Sequence, residues 1–305
     1  MKAIVTGGAG FIGSHLVEAL IAEGAEVHVI DNLSTGNINY LPKGASLHPL
    51  DIQSEKAADT IRQLSPDIVF HHAAQVDVQR SVMDPGYDAA INIAGTANIL
   101  QACVHSGVKK IVYASSCAVY GEPKTALIHE QDPVQPISFY GISKYTPEAY
   151  LRVFHQLYGL NYTILRYANV YGPRQTPKGE GGVVSIFLDR IRKGTPLVVY
   201  GDGEQTRDFV YVKDVVRANL AAAHQGDSQI IQVGTALPTS VNELLSSLQR
   251  IHGEQLHAVH RPERPGDIRH SCLSNILAYK VLGWKPRYDI NRGLQETYQY
   301  VMNQY

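Results

Sequence analysis

Tyr140-Gly141-Ile142-Ser143-Lys144 sets a phenol and an ammonium group four residues apart. On a helix that spacing puts both side chains on one face. A cation beside a phenol favours the phenolate, so the pair would make Tyr140 a general base and acid near working pH. Spacing alone is weak evidence in a chain with 18 tyrosines, and a second such pair exists, Tyr120 and Lys124. The intervening Gly121-Glu122-Pro123 cannot form a regular helix interior, so those two side chains should diverge. Tyr140, by contrast, leads into Tyr145, Ala149, Tyr150 and Leu151 at helical spacing. Upstream, Tyr113 to Gly121 ends an apolar run at Ser115 and Ser116. Hydroxyls at such a strand exit stand where parallel sheets bind ligands, and they can share a proton with Tyr140 or with a substrate hydroxyl.

A second constellation opens the chain. Gly7-Gly8-Ala9-Gly10-Phe11-Ile12-Gly13 follows a short apolar run and begins a helical one. Glycines there permit a tight turn, close approach of the backbone to a pyrophosphate, and close helix–sheet packing. The helix N-terminus offers unpaired N–H groups and a positive dipole end to phosphate. Asp31 closes the next apolar run, where an acid binds ribose hydroxyls and repels a 2′-phosphate, so NAD is expected over NADP.

These residues need a scaffold, and apolar periodicity outlines one. Strands are expected over 3–6, 26–31, 46–50, 67–71, 110–115 and 162–166, and helices over 11–23, 54–64, 88–106 and 140–158. Such alternation implies an α/β protein built on a Rossmann-type doubly wound parallel sheet, helices on both faces. Gly and Pro cluster at 172–182, 194–203 and 262–266, so a smaller, interleaved C-terminal substrate domain is expected there. The division reads as 1–170 for the dinucleotide, with 209–235 returning to it as strand, helix and strand, and 171–208 plus 236–305 for the substrate.

Composition excludes other classes. The chain has 305 residues, 44% of them hydrophobic, and a formal net charge of -1. A disordered chain would be less apolar and more charged. A nucleic-acid binder would carry a strong basic excess, and Lys109-Lys110 is too short a run to supply one. No apolar run has the length of a membrane helix. Three cysteines, Cys103, Cys117 and Cys272, are too few for a disulfide framework. Met1 to Thr6 meets the glycines with no apolar leader core, so a cytoplasmic protein is expected. His252, His257 and His260 cluster, as do His270 and Cys272, without a complete zinc pattern. His71-His72 should pack beside a cofactor, and no metal site is expected.

Together these motifs resemble the extended short-chain dehydrogenase/reductase family, and within it the 4-epimerases of UDP-hexoses. The resemblance runs along essentially the whole chain. It is carried by the glycine cradle, Asp31-Asn32-Leu33-Ser34-Thr35-Gly36, Leu50-Asp51-Ile52, His72-Ala73-Ala74, Asn92, the serine run and the Tyr140/Lys144 pair. Arg166 to Arg174, Tyr200-Gly201-Asp202-Gly203, Thr206-Arg207-Asp208-Phe209 and Arg264-Pro265-Gly266-Asp267 complete it in the same order.

The resemblance implies NAD-dependent 4-epimerisation through a 4-keto sugar, with UDP-glucose and UDP-galactose as substrates and their N-acetylhexosamine analogues as further ones. It places Gly7, Gly10, Phe11, Ile12, Gly13, Asp31, Asn32, Ser34 and Gly36 at the cofactor. Asp51 and Ile52 would hold the adenine, Ala73 and Ala74 would line the dinucleotide, and Asn92 would support the site from a helix. Ser115 and Tyr167 join that set. Lys144 would bind the nicotinamide ribose, and Ser116 would be the catalytic hydroxyl beside Tyr140. Asn169, Val183, Arg207 and Arg264 would contact the diphosphate and its surroundings, Tyr200 the uracil, Asp267 its ribose. Ser271 holds the position where a small residue opens the sugar pocket, which suggests room for an N-acetyl group.

Three alternatives remain open at this point. A uronate 4-epimerase could use Arg174 or Arg192 against the sugar carboxylate. A nucleotide-sugar dehydratase or decarboxylase would have an acid beside the catalytic hydroxyl, where this chain has Cys117 and Ala118. A non-catalytic NAD sensor would typically lose the tyrosine or lysine. The resemblance also implies a homodimer formed through the helices at 88–106 and 140–158.

Overall fold

The computed structural model describes residues 1–177, 182–263 and 268–303. Strands are β1 (Lys2–Thr6), β2 (Glu26–Ile30), β3 (Ala45–His48), β4 (Ile68–His71), β5 (Lys110–Ser116), β6 (Asn161–Tyr167) and β7 (Asn169–Tyr171), then β8 (Leu197–Tyr200), β9 (Thr206–Tyr211), β10 (Gln229–Val233), β11 (Pro238–Ser240), β12 (Ala258–Arg261) and β13 (His270–Ser271). Helices are α1 (Phe11–Ala22), α2 (Glu55–Leu64), α3 (Val78–Met83), α4 (Pro85–Ala89), α5 (Thr96–His105), α6 (Phe139–Tyr158), α7 (Val183–Arg192), α8 (Val212–His224), α9 (Val241–His252), α10 (Ile276–Leu282) and α11 (Ile290–Met302).

Seven strands form the main sheet in the order β10-β6-β5-β4-β1-β2-β3, every neighbouring pair parallel. Its central strands are apolar without alternation because helices cover both faces, as in the wholly buried Ile68–His71. On one face Leu16, Val17 and Leu20 of α1 pack with Val215 and Ala218 of α8. On the other, Ala57 and Ile61 of α2 pack with Ile99, Leu100 and Cys103 of α5 and Leu151 of α6. A separate core joins Phe187 and Leu188 of α7 to Leu244 and Leu248 of α9 and Leu294 of α11.

Two expectations need adjusting. The helix expected over 88–106 is three segments, with a π-helical stretch over Ala90–Gly95 between α4 and α5. The return expected over 209–235 splits: β10 joins the main sheet beside β6, but β9 pairs with β7, β11 and β13 in a second sheet. Strand β9 forms its ladders at the junction of the two cores, which its own apolar pattern does not reveal.

Helix α6 carries the Tyr140/Lys144 segment. Ser138 caps it by accepting from the Gly141 N–H at 3.0 Å, and Gly159 ends it in the left-handed conformation with φ 71°.

Candidate active site

The turn between β1 and α1 has no room for side chains. A Cβ at Gly7, whose φ is 69°, would sit 2.6 Å from the Ala73 backbone nitrogen. A Cβ at Gly13 would collide with the Gly7 carbonyl oxygen and the Gly8 Cα. The helix therefore starts directly against the strand, with no acidic residue in its first turn to repel an anion.

Asp31 stands at the end of β2 and is buried. Its carboxylate accepts from the Ala9 N–H at 2.9 Å and the Leu33 N–H at 2.8 Å. Burial raises its pKa, while those two hydrogen bonds draw it back. Gly36 closes over this group, since a Cβ there would lie 2.9 Å from Asp31 Oδ1. Asn32 Nδ2 donates to Asp51 Oδ2 at 2.9 Å and ties the β2 exit to the β3 exit.

A cleft of about 250 Å³ runs from this cradle to α6. Its wall includes Gly7, Gly10, Phe11, Ile12, Gly13, Asp31, Asn32, Ser34, Asp51, Ile52, Ala73, Ala74, Ser115, Tyr140, Lys144 and Tyr167 from the expected set. Gly36 and Asn92 are not part of that wall. Asn92 Nδ2 donates to the Gln75 carbonyl and to Ser143 Oγ, both at 2.9 Å, bracing the loop after β4 against α6. His72 is on the wall too, and so are Gln75, Asp77, Arg80 and Tyr87, which the sequence did not single out as site residues. The Arg80 guanidinium lies 3.8 Å over the Tyr87 ring. Asp77 caps α3 by accepting from the Gln79 and Arg80 N–H groups.

Lys144 is only 4% exposed, and its ammonium lies 4.7 Å from the centre of the Tyr113 ring. Burial pulls its pKa down to about 8, against the opposing charges of Asp88 and Glu148. The Tyr140 N–H donates to Ser81 Oγ at 3.1 Å, so α3 pins the first turn of α6. His71 and His72 are both pushed down to about 3 by burial, with the Lys144 charge adding to the effect, and are neutral. The His72 ring faces Tyr167, whose hydroxyl is 3.1 Å from His72 Nε2.

The two serines differ. Ser115 Oγ donates to Glu148 Oε1 at 2.7 Å, so that hydroxyl is turned to the interior although the residue lines the cleft. Ser116 Oγ accepts from the Ala118 N–H at 3.1 Å and starts a turn at the strand exit.

The expected substrate residues lie on the second sheet and its neighbours. Asn169 begins β7, Val183 begins α7 and Tyr200 ends β8. Arg207 on β9 is in register with Ser271 on β13. Burial raises the Cys117 thiol pKa, with the Arg207 charge and the Ser116 and Ser271 hydroxyls opposing it. Ser116, Cys117, Ser271 and Arg207 thus meet where the main sheet adjoins the second. Tyr200 lines a different groove, with Arg190 and Arg261. Arg264 and Asp267 fall outside the described residues. Arg174 bonds Glu18 at 2.5 Å and Ser14 Oγ at 3.1 Å, both on α1, and Arg192 pairs with Asp189 at 3.0 Å. Neither arginine lines the cleft.

The clustered histidines take separate partners. His252 meets the Tyr298 hydroxyl, His260 the Gly201 carbonyl and His270 the Thr206 hydroxyl. Among the described residues no three potential ligands converge on a metal-sized site. None of their helices is long and apolar enough to cross a membrane.

Residues 3–234 match the NAD dependent epimerase/dehydratase family. A UDP-glucose 4-epimerase of Thermotoga maritima, solved with UDP-glucose, is 46% identical over 98% of both chains, with a TM-score of 0.96. A UDP-glucose 4-epimerase of Thermus thermophilus in complex with NAD is 41% identical over 99% of both chains, with a TM-score of 0.94. A UDP-N-acetylglucosamine 4-epimerase of Methanobrevibacter ruminantium, in complex with UDP-N-acetylmuramic acid, is 35% identical over 98% of this chain and 97% of that one, with a TM-score of 0.93.

Proposed function

The chain belongs to the NAD dependent epimerase/dehydratase family, and from that premise we propose that it is an isomerase that interconverts UDP-glucose and UDP-galactose by NAD-dependent 4-epimerisation. One observation carries this reading: the glycine cradle, Asp31, Tyr140 and Lys144 share the wall of a single cleft.

The residues fit a dinucleotide. Gly7 and Gly13 leave the backbone open to a pyrophosphate at the N-terminus of α1. Asp31, supported by Asn32, Ser34 and Gly36, would take the adenosine ribose hydroxyls. Phe11, Ile12, Ala73, Ala74 and Tyr167 would line the dinucleotide, Asp51 and Ile52 the adenine, and Lys144 would hold the nicotinamide ribose. When bound, NAD supplies a hydride acceptor and donor at the sugar C4.

The remaining work belongs to the chain. Tyr140 takes the proton of the 4-hydroxyl and later returns it, and the Lys144 cation beside it favours the phenolate. Ser116 hydrogen-bonds the reacting oxygen, being the strand-exit hydroxyl not committed to Glu148. Asn169, Val183, Tyr200, Arg207, Arg264 and Asp267 would anchor the UDP while the 4-keto sugar turns. Arginine forks suit a diphosphate because each donates two parallel hydrogen bonds. The second sheet and its helices, 171–208 and 236–305, would form the substrate domain, with 1–170 and 209–235 holding the cofactor. β9 (Thr206–Tyr211) then straddles that division, its second half falling in the cofactor part.

Three finer points belong to the same proposal. Ser271 at the sugar end favours N-acetylhexosamine derivatives as additional substrates. Exposed apolar residues on one side of α6, among them Ile142, Val153 and Leu157, support a homodimer through that helix. The free cysteines suit the reducing cytoplasm.

The test is product identity. Purified protein given UDP-galactose without added NAD should yield UDP-glucose by proton NMR of the anomeric region. Tight NAD binding with no product from any UDP-hexose would overturn the reading.

A further inference from the structure

We infer that Asp88 is a positioning residue for this reaction: its buried carboxylate is the counter-charge that keeps Lys144 cationic beside Tyr140. The inference rests on the reading of the cleft given above.

Asp88 and Lys144 are both buried, at 1% and 4% exposure. Among the described residues neither forms a direct ion pair; the fully buried pair in this region joins Arg166 and Glu148. Asp88 Oδ1 accepts from Gln75 Nε2 at 2.7 Å and from Asn92 Nδ2 at 3.3 Å. The same Asn92 amide donates to Ser143, which adjoins Lys144 on α6. The carboxylate is thus fixed by N–H donors on the path from α4 to the reacting face of α6. Two isolated charges buried near one another each lower the desolvation cost of the other.

Other groups facing Lys144 do not serve. His71 and His72 on β4 are neutral. Tyr113 on β5 gives only a ring face. Tyr140 on α6 is the group to be charged, not a standing anion. Glu148, also on α6, is held bidentately by Arg166, with Nε–Oε1 at 2.9 Å and Nη2–Oε2 at 2.6 Å, so its charge is already matched. Asp88 is therefore the unmatched anion of the set. Without it, burial would draw the Lys144 proton off at lower pH, and Tyr140 would lose the cation that favours its phenolate.

The experiment is Asp88→Asn, with Asp88→Ser as a second neutral variant and Asp88→Glu as the charge-conserving one. The Lys144 amine is titrated in the substrate-free protein by NMR of its labelled side chain. We expect the midpoint to fall by about one pH unit in both neutral variants and to stay in place in Asp88→Glu. In turnover, kcat at pH 8 should drop about fivefold and recover at lower pH, while KM stays within about twofold. An unmoved midpoint in a folded neutral variant overturns the inference. Because the titration needs no substrate, a wild-type protein without epimerase activity would sink the functional reading and leave this result to stand or fall by itself.

Discussion

Tyr140/Lys144 and Tyr120/Lys124 have the same spacing and opposite fates. Tyr140 and Lys144 lie one turn apart on α6, both on the cleft wall. Tyr120 ends a short 3-10 turn, and Gly121, with φ 65°, swings the chain away before Pro123 and the exposed Lys124. The Tyr120 hydroxyl accepts from Arg166 Nη1 at 2.7 Å and from Gln232 Nε2 at 2.6 Å. Burial raises its pKa, with the Arg166 charge opposing, so it stays a phenol. The lesson is that an i,i+4 pair shares one face only where the backbone between is helical, as it is from Tyr140 to Lys144 and is not from Tyr120 to Lys124.

The sharpest way to break this contrast is to remove each hydroxyl. Tyr140→Phe should lower kcat about 10³-fold, roughly 4 kcal/mol of transition-state stabilisation, whereas Tyr120→Phe should keep most of it. Steady-state assays with UDP-galactose decide, and a Tyr140→Phe enzyme within tenfold of wild type would erase the distinction.

The structural role of the second region is tested next. Arg166→Met leaves Glu148 buried and unpaired, so urea unfolding should show a loss of about 3 kcal/mol. Tyr120→Phe removes the acceptor of two buried donors and should cost about 2 kcal/mol in the same measurement. Wild-type stability in Arg166→Met would remove the structural role of the Arg166–Glu148 pair, and in Tyr120→Phe that of the Tyr120 hydroxyl.

Smaller effects sharpen the first region. With Lys144 near 8, its cation persists below that pH and is lost above it. The kcat profile should therefore fall on the alkaline side, by about tenfold per unit well above 8. A profile flat to pH 10 would contradict the electrostatic role of Lys144. Lys124→Ala, on the exposed side of the contrast, should change stability by less than about 0.5 kcal/mol and leave kcat alone.

Much of this was legible because it is local. The turn over Gly7–Gly13 and the acid at Asp31 depend on one strand, one turn, one helix and the next strand. Tyr140 and Lys144 depend on one helical period. Glycine and proline likewise exposed the Tyr120/Lys124 spacing as non-helical. The cleft residues Asp77, Arg80 and Tyr87 left no comparable signal, because they reach the wall only when Ser81 docks α3 on the Tyr140 backbone, across 59 positions of sequence. Nothing in Ser115-Ser116 says which hydroxyl turns inward; Glu148 decides it from a neighbouring helix. Arg174, a candidate for a substrate carboxylate, is taken up by Glu18, 156 positions away.

What the chain determined by itself is the set of contacts closed within a strand–helix unit: where backbone must pass without a side chain, and which groups share a helical face. Tertiary structure decided which of those groups are buried together, which charges are already matched, and which sheet β9 completes. The reason is physical. Local geometry follows from bond angles and hydrogen-bond period, whereas desolvation and charge pairing depend on neighbours that only the packed fold brings together.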